Sequence, residues 1–547
     1  MHDLGFDKLC EALTDKKAEQ TALLNTLSSI TDSPEAARYR ADVFEDIYNN
    51  PKLCDQMIKL LDKINFLRDY GVFRKRNDDV PGIWDLMHSL EEMKEYIGYV
   101  EAMHSCLEDA PIRSEGLCEL RDHIENIYND YGYAALKNDV AKLKASTEAL
   151  KSVTVGINLN QRFEAESLGL ISINSKSFTK SNVIGEFYDK ISGKDHIRDD
   201  ADWNGSMKFR QVKPEGLNIE KHNEETGEFV MAMRNPLMAA HLARVPEGDG
   251  SGDITRYMNR EADHLISNLV KNIRETLNKY MNLSITDVTE LIPELMFYIR
   301  FADYIRKLSD KGFCFSKPRV FEGASFSHKM EARGIYNLKL INHAIENKSE
   351  IVKNDIDFDE DKLLYLLTGA NRGGKTTITQ AVGQLFVLAQ NGIFVPADSF
   401  LYEPVDCVYT HFPADEDQTM DLGRLGEECK RFRELYFDAS DKSLLLLNET
   451  FSTTSFEEGY YIAYDSVRAI AEKGIRTIYN THMHKLAFEM TADDNSELPK
   501  GIKSLVIRSG EGNVSFKIAM AKPEGMSYAR TIADKYGVTY ELLSKER

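Results

Sequence analysis

The sequence has no run near the ~18 uninterrupted apolar residues that a membrane span needs. Its first twenty residues, MHDLGFDKLCEALTDKKAEQ, hold no apolar signal core. The expectation is a cytoplasmic protein without a membrane partner. Cysteine is scarce: Cys10, Cys54, Cys106, Cys118, Cys314, Cys407 and Cys429 form no C-x-x-C pair and show no metal-ligand spacing. That argues against a zinc cluster or disulfide framework and leaves reduced core thiols. An excess of positive charge is also missing, with 68 Lys and Arg against 88 Asp and Glu and a net charge of −20. Phosphate contacts need Lys or Arg, so the balance argues against a surface coated for nucleic acid while allowing a local basic lining.

What is present is a long, helix-rich, soluble composition. The 547 residues are 42% hydrophobic and 29% charged, enough for roughly three to four folding units at ~150 residues each. Two helical patterns lie within residues 16–70. The first carries Leu23, Leu24 and Leu27 before a break at Ser33-Pro34; the second carries Leu53, Met57, Leu60, Leu61 and Ile64. Further patterns run from Trp84 to Leu107 and from Leu117 to Val153, the latter with Leu136, Val140, Leu143, Thr147 and Leu150 on one stripe. VTVGINLN at 153–160 alternates and predicts a strand. Residues 171–252 are rich in charge and glycine and read as an insertion with loops at its tips. Its Lys208, Arg210, Lys213 and Lys221 are candidate basic contacts set among acids. From 254 the helical pattern returns, with Ala262, Ile266, Leu269, Ile273, Leu277 and Tyr280 three or four apart. Such an amphipathic stripe needs a partner helix, and 136–150 is the natural one. Two antiparallel helices of this kind form a lever; a compact helical bundle is the alternative.

The C-terminal third changes character. Apolar runs at 363–367, 405–409, 444–448 and 477–480 alternate with helical patterns at 376–389, 424–437 and 457–472. That alternation predicts an α/β domain with a largely parallel sheet, whose ligands bind at the carboxyl ends of the strands.

At one such end stands GANRGGKTT, 369–377, which fits the phosphate-loop pattern G-x-x-x-x-G-K-S/T between a strand and a helix. Gly369, Ala370, Asn371, Arg372, Gly373, Gly374, Lys375, Thr376 and Thr377 are therefore the candidate cofactor-binding residues. The glycines let backbone amides turn inward on phosphate, and the helix start adds partial positive charge. Lys375 would reach the β and γ phosphates, and the Thr376 hydroxyl would sit on Mg²⁺. A second strand end, LLLLNETFSTTSFEEG at 444–459, puts Asn448 where a metal carboxylate is usual and Glu449 next to it. Asn448 brings no charge to the ion, so weak Mg²⁺ binding or slow turnover is expected. Glu449 reads as the catalytic base or water-orienting group, against the plainer reading of a surface carboxylate. Thr481-His482 follows the next strand, and His482 could donate to the γ phosphate or orient the attacking water.

These residues resemble a family. Asn354-Asp355, TGANRGGKTT at 368–377, LAQNGIFVPA at 388–397, EECKRFRELYFDAS at 427–440, NETFSTTSFEEG at 448–459, THMHKL at 481–486 and GMSYARTIADKYGV at 525–538 resemble, in register, the ATPase domain of MutS proteins, a branch of the ABC-type ATPases. The upstream helices and VTVGINLN resemble a MutS core and lever. The resemblance implies a helical core and lever region followed by an α/β ABC-type P-loop ATPase domain. The expected divisions are 1–160 for the core and first lever segment, 161–253 for a clamp-like insertion, 254–330 for the second lever helix and 331–547 for the ATPase.

The same resemblance implies ATP and Mg²⁺ as cofactors and a homodimer that closes nucleotides between subunits. Glu449 and His482 would be catalytic, and Thr376 with Asn448 would hold the metal. The helix that reaches the partner's nucleotide falls at about 423–437, where Gly423-Arg424 replaces the family's Ser-Thr. Ser452-Thr453-Thr454 falls at the inter-subunit loop. The chain is expected to be a shortened form, without the N-terminal mismatch-reading domain or a C-terminal nuclease. The implied function is an ATP-dependent clamp on duplex, mismatched or branched DNA. A ribosome- or RNA-associated ATPase, or one acting on a protein partner, stays open beside it.

Overall fold

The computed structural model describes residues 1–60, 83–108, 110–147, 152–159, 161–162, 165–174, 243–244, 271, 275–276, 279, 291–323, 326–370, 373–413, 423–452, 455–492, 498–510, 513–523 and 536–544. By contacts the chain divides into two units. One holds Met1–Lys59, Cys106–Arg121 and Glu290–Arg547; the other holds Leu60–Ser105 and Asp122–Thr289. This division cuts across the sequence boundaries, since residues 1–59 belong with the C-terminal sheets.

The first unit opens with a short 3₁₀ turn, His2–Leu4, and helices α1 (Phe6–Leu13), α2 (Lys17–Ser28), α3 (Pro34–Asn49) and α4 (51–60). The Ser33-Pro34 break is the start of α3: Ser33 Oγ accepts from Ala36 N at 3.2 Å and Pro34 occupies the first turn. Helices α5 (Ile83–Glu108), α6 (Glu115–Asn129) and α7 (Tyr131–Thr147) follow; α5 up to Ser105, α6 from Asp122 and all of α7 belong to the second unit. The single helical pattern predicted from Leu117 to Val153 is thus divided at Asp130, whose carboxylate accepts from Tyr133 N at 3.2 Å and caps α7. Leu136, Val140 and Leu143 are buried on α7 as the stripe requires.

In the second unit, β1 (Ser152–Leu159), β2 (Ala165–Asn174) and β3 (Ala243–Arg244) form an antiparallel sheet in that order. The strand predicted at 153–160 is β1. Lys279, in a helical position, pairs with Asp139 of α7 at 3.4 Å. The rest of the stripe from 262 to 280, except residues 271, 275 and 276, lies outside the described residues, as do Lys208, Arg210, Lys213 and Lys221.

The remaining elements belong to the first unit. They are α8 (Ile292–Ser309), β4 (Arg319–Val320), β5 (Met330–Ile335), α9 (Leu340–Asn347), β6 (Asn354–Phe358), β7 (Leu364–Thr368), α10 (Lys375–Gln390), β8 (Ser399–Tyr402), β9 (Val408–His411) and α11 (Gly423–Asp438). After them come β10 (Leu444–Asn448), α12 (Phe456–Lys473), β11 (Arg476–Asn480), α13 (His484–Met490), β12 (Ile502–Gly510), β13 (Asn513–Met520) and α14 (Tyr540–Leu543). A six-stranded sheet has the order β13-β12-β7-β11-β10-β9 and is parallel except for β13. A smaller sheet has the order β4-β8-β5-β6. The strand predicted at 405–409 lies instead at Val408–His411, where it pairs with β10 from Leu444 to Leu447.

Burial on both faces explains why β7 and β10 read as unbroken apolar runs. Leu445, Leu447 and Tyr479 join residues of α11, α12 and α13 in one core. Leu446 faces the other way, onto Gly383 of α10. Helix α10 is buried almost all round, packed against β9, β10 and β11 and against α2, α3 and the N-terminal turn. This layering sets the carboxyl ends of β7, β10 and β11 side by side. Among the described residues no helix is long and apolar enough to cross a membrane, and all seven cysteines are free.

Candidate functional site

The glycine loop leaves β7 in a conformation that needs glycine. Gly369 has φ 141° and Gly374 has φ 91°. A Cβ at 369 would also lie 3.0 Å from Ile507 Cβ and 3.3 Å from its backbone nitrogen. The Gly373 N–H donates to Ala370 O at 3.1 Å, and α10 starts at Lys375 directly behind Gly374. Asn371 and Arg372 lie outside the described residues. Lys375 is 5% exposed, and its Nζ donates to the carbonyls of Gly369 at 3.0 Å and Ala370 at 3.1 Å. Burial holds its pKa below the usual lysine value, against the opposing pull of the Glu449 charge. A buried ammonium satisfied by neutral carbonyls, at a helix start, is prepared for an anion. The Thr377 carbonyl is fixed by Asn337 Nδ2 at 2.9 Å.

Glu449 and His482 follow the ends of adjacent parallel strands, β10 and β11, whose register pairs Asn448 with Asn480. Their side chains meet: His482 Nε2 donates to Glu449 Oε1 at 2.6 Å. That hydrogen bond holds the Glu449 carboxyl below the usual range, burial opposes it, and the charges of His482 and Lys375 add to it. The backbone around Glu449 is constrained, with φ 52° at Glu449 and 64° at Phe451. Glu449 N donates to Asn480 O at 2.8 Å, and Phe451 N to Glu428 Oε1 of α11 at 2.8 Å. These bonds hold the turn in its uncommon left-handed geometry.

A cavity of about 700 Å³ is lined by Lys375, Thr376, Glu449 and His482, with Tyr336 and Phe516 among its other lining residues. The volume suits a small ligand. Phe516 is placed by Asn354, whose Nδ2 donates to Phe516 O at 3.1 Å and whose Oδ1 accepts from Ile518 N at 2.9 Å.

The Mg²⁺ expectation for Thr376 and Asn448 meets a donor set that does not fit it. Thr376 Oγ1 donates to Asn448 Oδ1 at 3.0 Å, and Asn480 Nδ2 donates to the same oxygen. Both lone pairs of that oxygen are then used, and the pair carries no negative charge to offer a hydrated divalent ion. Among the described residues, no group of three or more His, Cys, Asp or Glu is arranged to hold a metal.

Asn480 and Phe516 went unnoticed in the sequence. For Asn480 there was a signal: LLLLN and TIYN are neighbouring strands that both end in asparagine. Phe516 had none, because its place depends on the β12–β13 hairpin. Gly423 starts α11 and Ser452 N donates to Glu449 O at 3.1 Å, while Thr453 and Thr454 lie outside the described residues.

Residues 365–542 match the family model of MutS domain V, and residues 32–311 match that of the MutS2 N-terminal domain. The chain is 33% identical over 189 residues to the Endonuclease MutS2 of Caldicellulosiruptor saccharolyticus, covering 32% of this chain and 24% of that protein. It is 28% identical over 199 residues to the Endonuclease MutS2 of Thermus thermophilus, covering 36% and 26%. It is 25% identical over 489 residues to the DNA mismatch repair protein MutS of Thermosipho melanesiensis, covering 83% and 57%. The chain thus spans from about a quarter to just over half of the length of these relatives. With one MutS match over more than half of its length and another over the sheet that carries Lys375, Glu449 and His482, the chain belongs to the MutS family.

Proposed function

We propose that the protein binds ATP at the glycine loop, hydrolyses it slowly, and uses the cycle to close a homodimeric clamp on DNA. The observation that carries this reading is the convergence of Lys375 with the Glu449–His482 pair on one cavity. Loop amides and Lys375 hold the phosphates. Glu449, ionised at neutral pH, accepts a hydrogen bond from water and takes its proton as the water oxygen bonds to the γ phosphorus. The bond from that phosphorus to the β–γ bridging oxygen breaks, and its electron pair leaves on ADP. His482 fixes the carboxylate. The start of α11 and the Ser452 turn are the surfaces through which a second copy would meet the nucleotide. DNA as the partner is supported by the names of the relatives, and the lever pairing is supported by the Lys279–Asp139 contact.

Glu449→Gln should leave ATP affinity unchanged and slow hydrolysis by about 10²–10⁴-fold, read as phosphate release beside an ATP-binding isotherm. Normal turnover in that variant would remove Glu449 from its role. In the native protein, binding to homoduplex, mismatched and branched DNA and to structured RNA should be strengthened by ATP for DNA. Affinity should fall with salt at a log–log slope of roughly −0.9 per phosphate contacted. Binding to RNA alone, or to neither nucleic acid, would transfer the partner assignment to RNA or to a protein.

A further inference from the structure

We infer that this site takes its nucleoside triphosphate with little help from a divalent cation, because a neutral pair of asparagine amides fills the place of a metal carboxylate. The inference rests on the nucleotide reading above and concerns how the phosphate charge is met. Asn448 and Asn480 are register partners at the ends of β10 and β11, 8% and 0% exposed. Asn448 Oδ1 accepts from Thr376 Oγ1 and from Asn480 Nδ2, and the same Nδ2 lies 3.5 Å from Thr376 Oγ1. Asn480 Oδ1 is buried without a hydrogen-bond partner.

The electrostatic consequence follows from the missing charge. A carboxylate at position 448 would repel the bare triphosphate and attract the metal complex, so it would make binding depend on the cation. An amide does neither. Glu449 is an ionised carboxylate beside Lys375 on this cavity, and its Oε1 is engaged by His482 at 2.6 Å. Taking up a cation there would cost that bond. Among the described residues of the loop, the charge that meets the phosphates is Lys375, already buried there, together with the helix start.

The test is equilibrium binding of ATP to the full chain by dialysis, in excess magnesium chloride and in excess EDTA. The two dissociation constants should agree within about threefold. Asn448→Asp should weaken binding in EDTA and open the gap to about tenfold or more. Asn480→Ala, which frees one lone pair on Asn448, should move the ratio in the same direction by less. By linkage, the Mn²⁺ affinity of ATP, titrated by electron paramagnetic resonance, should be the same with and without native protein and rise with Asn448→Asp. Native binding about tenfold or more tighter with magnesium would overturn the inference while leaving the nucleotide reading intact. Absence of ATP binding in both conditions, or binding that survives Lys375→Ala unchanged, would overturn both.

Discussion

His482 donates to Glu449 at 2.6 Å from a position two residues after β11, and this contact favours the ionised carboxylate. The hydrogen bond from His482 is the largest influence lowering the Glu449 pKa, ahead of the opposing effect of burial. The sign follows: in the native protein Glu449 stays ionised to lower pH than an ordinary glutamate. In His482→Ala that support is gone, so Glu449 protonates at higher pH and the acid limb of the single-turnover rate profile should move upward. His482→Gln, which keeps a donor, should return part of the shift. A limb that stays in place in both variants would separate the Glu449 ionisation from His482. Glu449 and His482 were readable in the sequence because each lies within two residues of the end of an apolar strand run. The pairing of Asn448 with Asn480 was not, because it depends on which strands are neighbours, and residues 444–448 and 476–480 are separated by all of α12.

At the scale of elements, helix α10 joins the loop to the N-terminal turn. Gln380 Nε2 donates to Asp3 O at 2.6 Å, and Gln384 Nε2 donates to Leu4 O at 2.9 Å. A Cβ added at Gly383 would lie 2.6 Å from both Leu4 Cδ2 and Leu446 Cδ1. Glycine inside a helix is unfavourable by roughly 1 kcal/mol relative to alanine, so close packing of Leu4 is the physical reason for it here. Leu4→Ala, at a position 3% exposed, should destabilise by about 2–4 kcal/mol. Gly383→Ala alone should be neutral to destabilising, since the helix gain opposes overpacking. Combined, the two changes should be less harmful than their sum by on the order of 1 kcal/mol, because the new methyl enters space that Leu4 vacates. Additive denaturation free energies would show that the turn and α10 do not share this packing. None of this was legible beforehand: MHDL carries too few apolar residues for any periodicity. The small sheet and β13 escaped for a related reason. MEARGI, NDIDF and SFLY are short and polar on alternate positions, and tertiary pairing rather than propensity makes them strands.

For the molecule as a whole, acid should act on stability through a buried histidine that takes no part in the chemistry. His411 closes β9 at 1% exposure, with Nδ1 3.0 Å from Thr450 Oγ1 and Nε2 3.4 Å from Glu428 O. Burial, followed by the charge of Arg431, lowers its pKa from 6.5 to about 4. An unfolded chain therefore takes up a proton between those values that the native state refuses. Stability is complete above the unfolded value and falls as pH drops through the window toward about 4, by on the order of 3 kcal/mol. The unit that contains β9 carries this loss, so its denaturant midpoint should decline across that window. His411→Leu cannot titrate, and it should flatten the decline even where it lowers the plateau, by leaving Thr450 Oγ1 without its partner. Because Thr450 follows Glu449, and its carbonyl accepts from Tyr479 OH at 2.9 Å, the same protonation reaches the turn that holds the carboxylate. Midpoints that fall equally in the native protein and His411→Leu would assign the acid loss to the carboxylates instead.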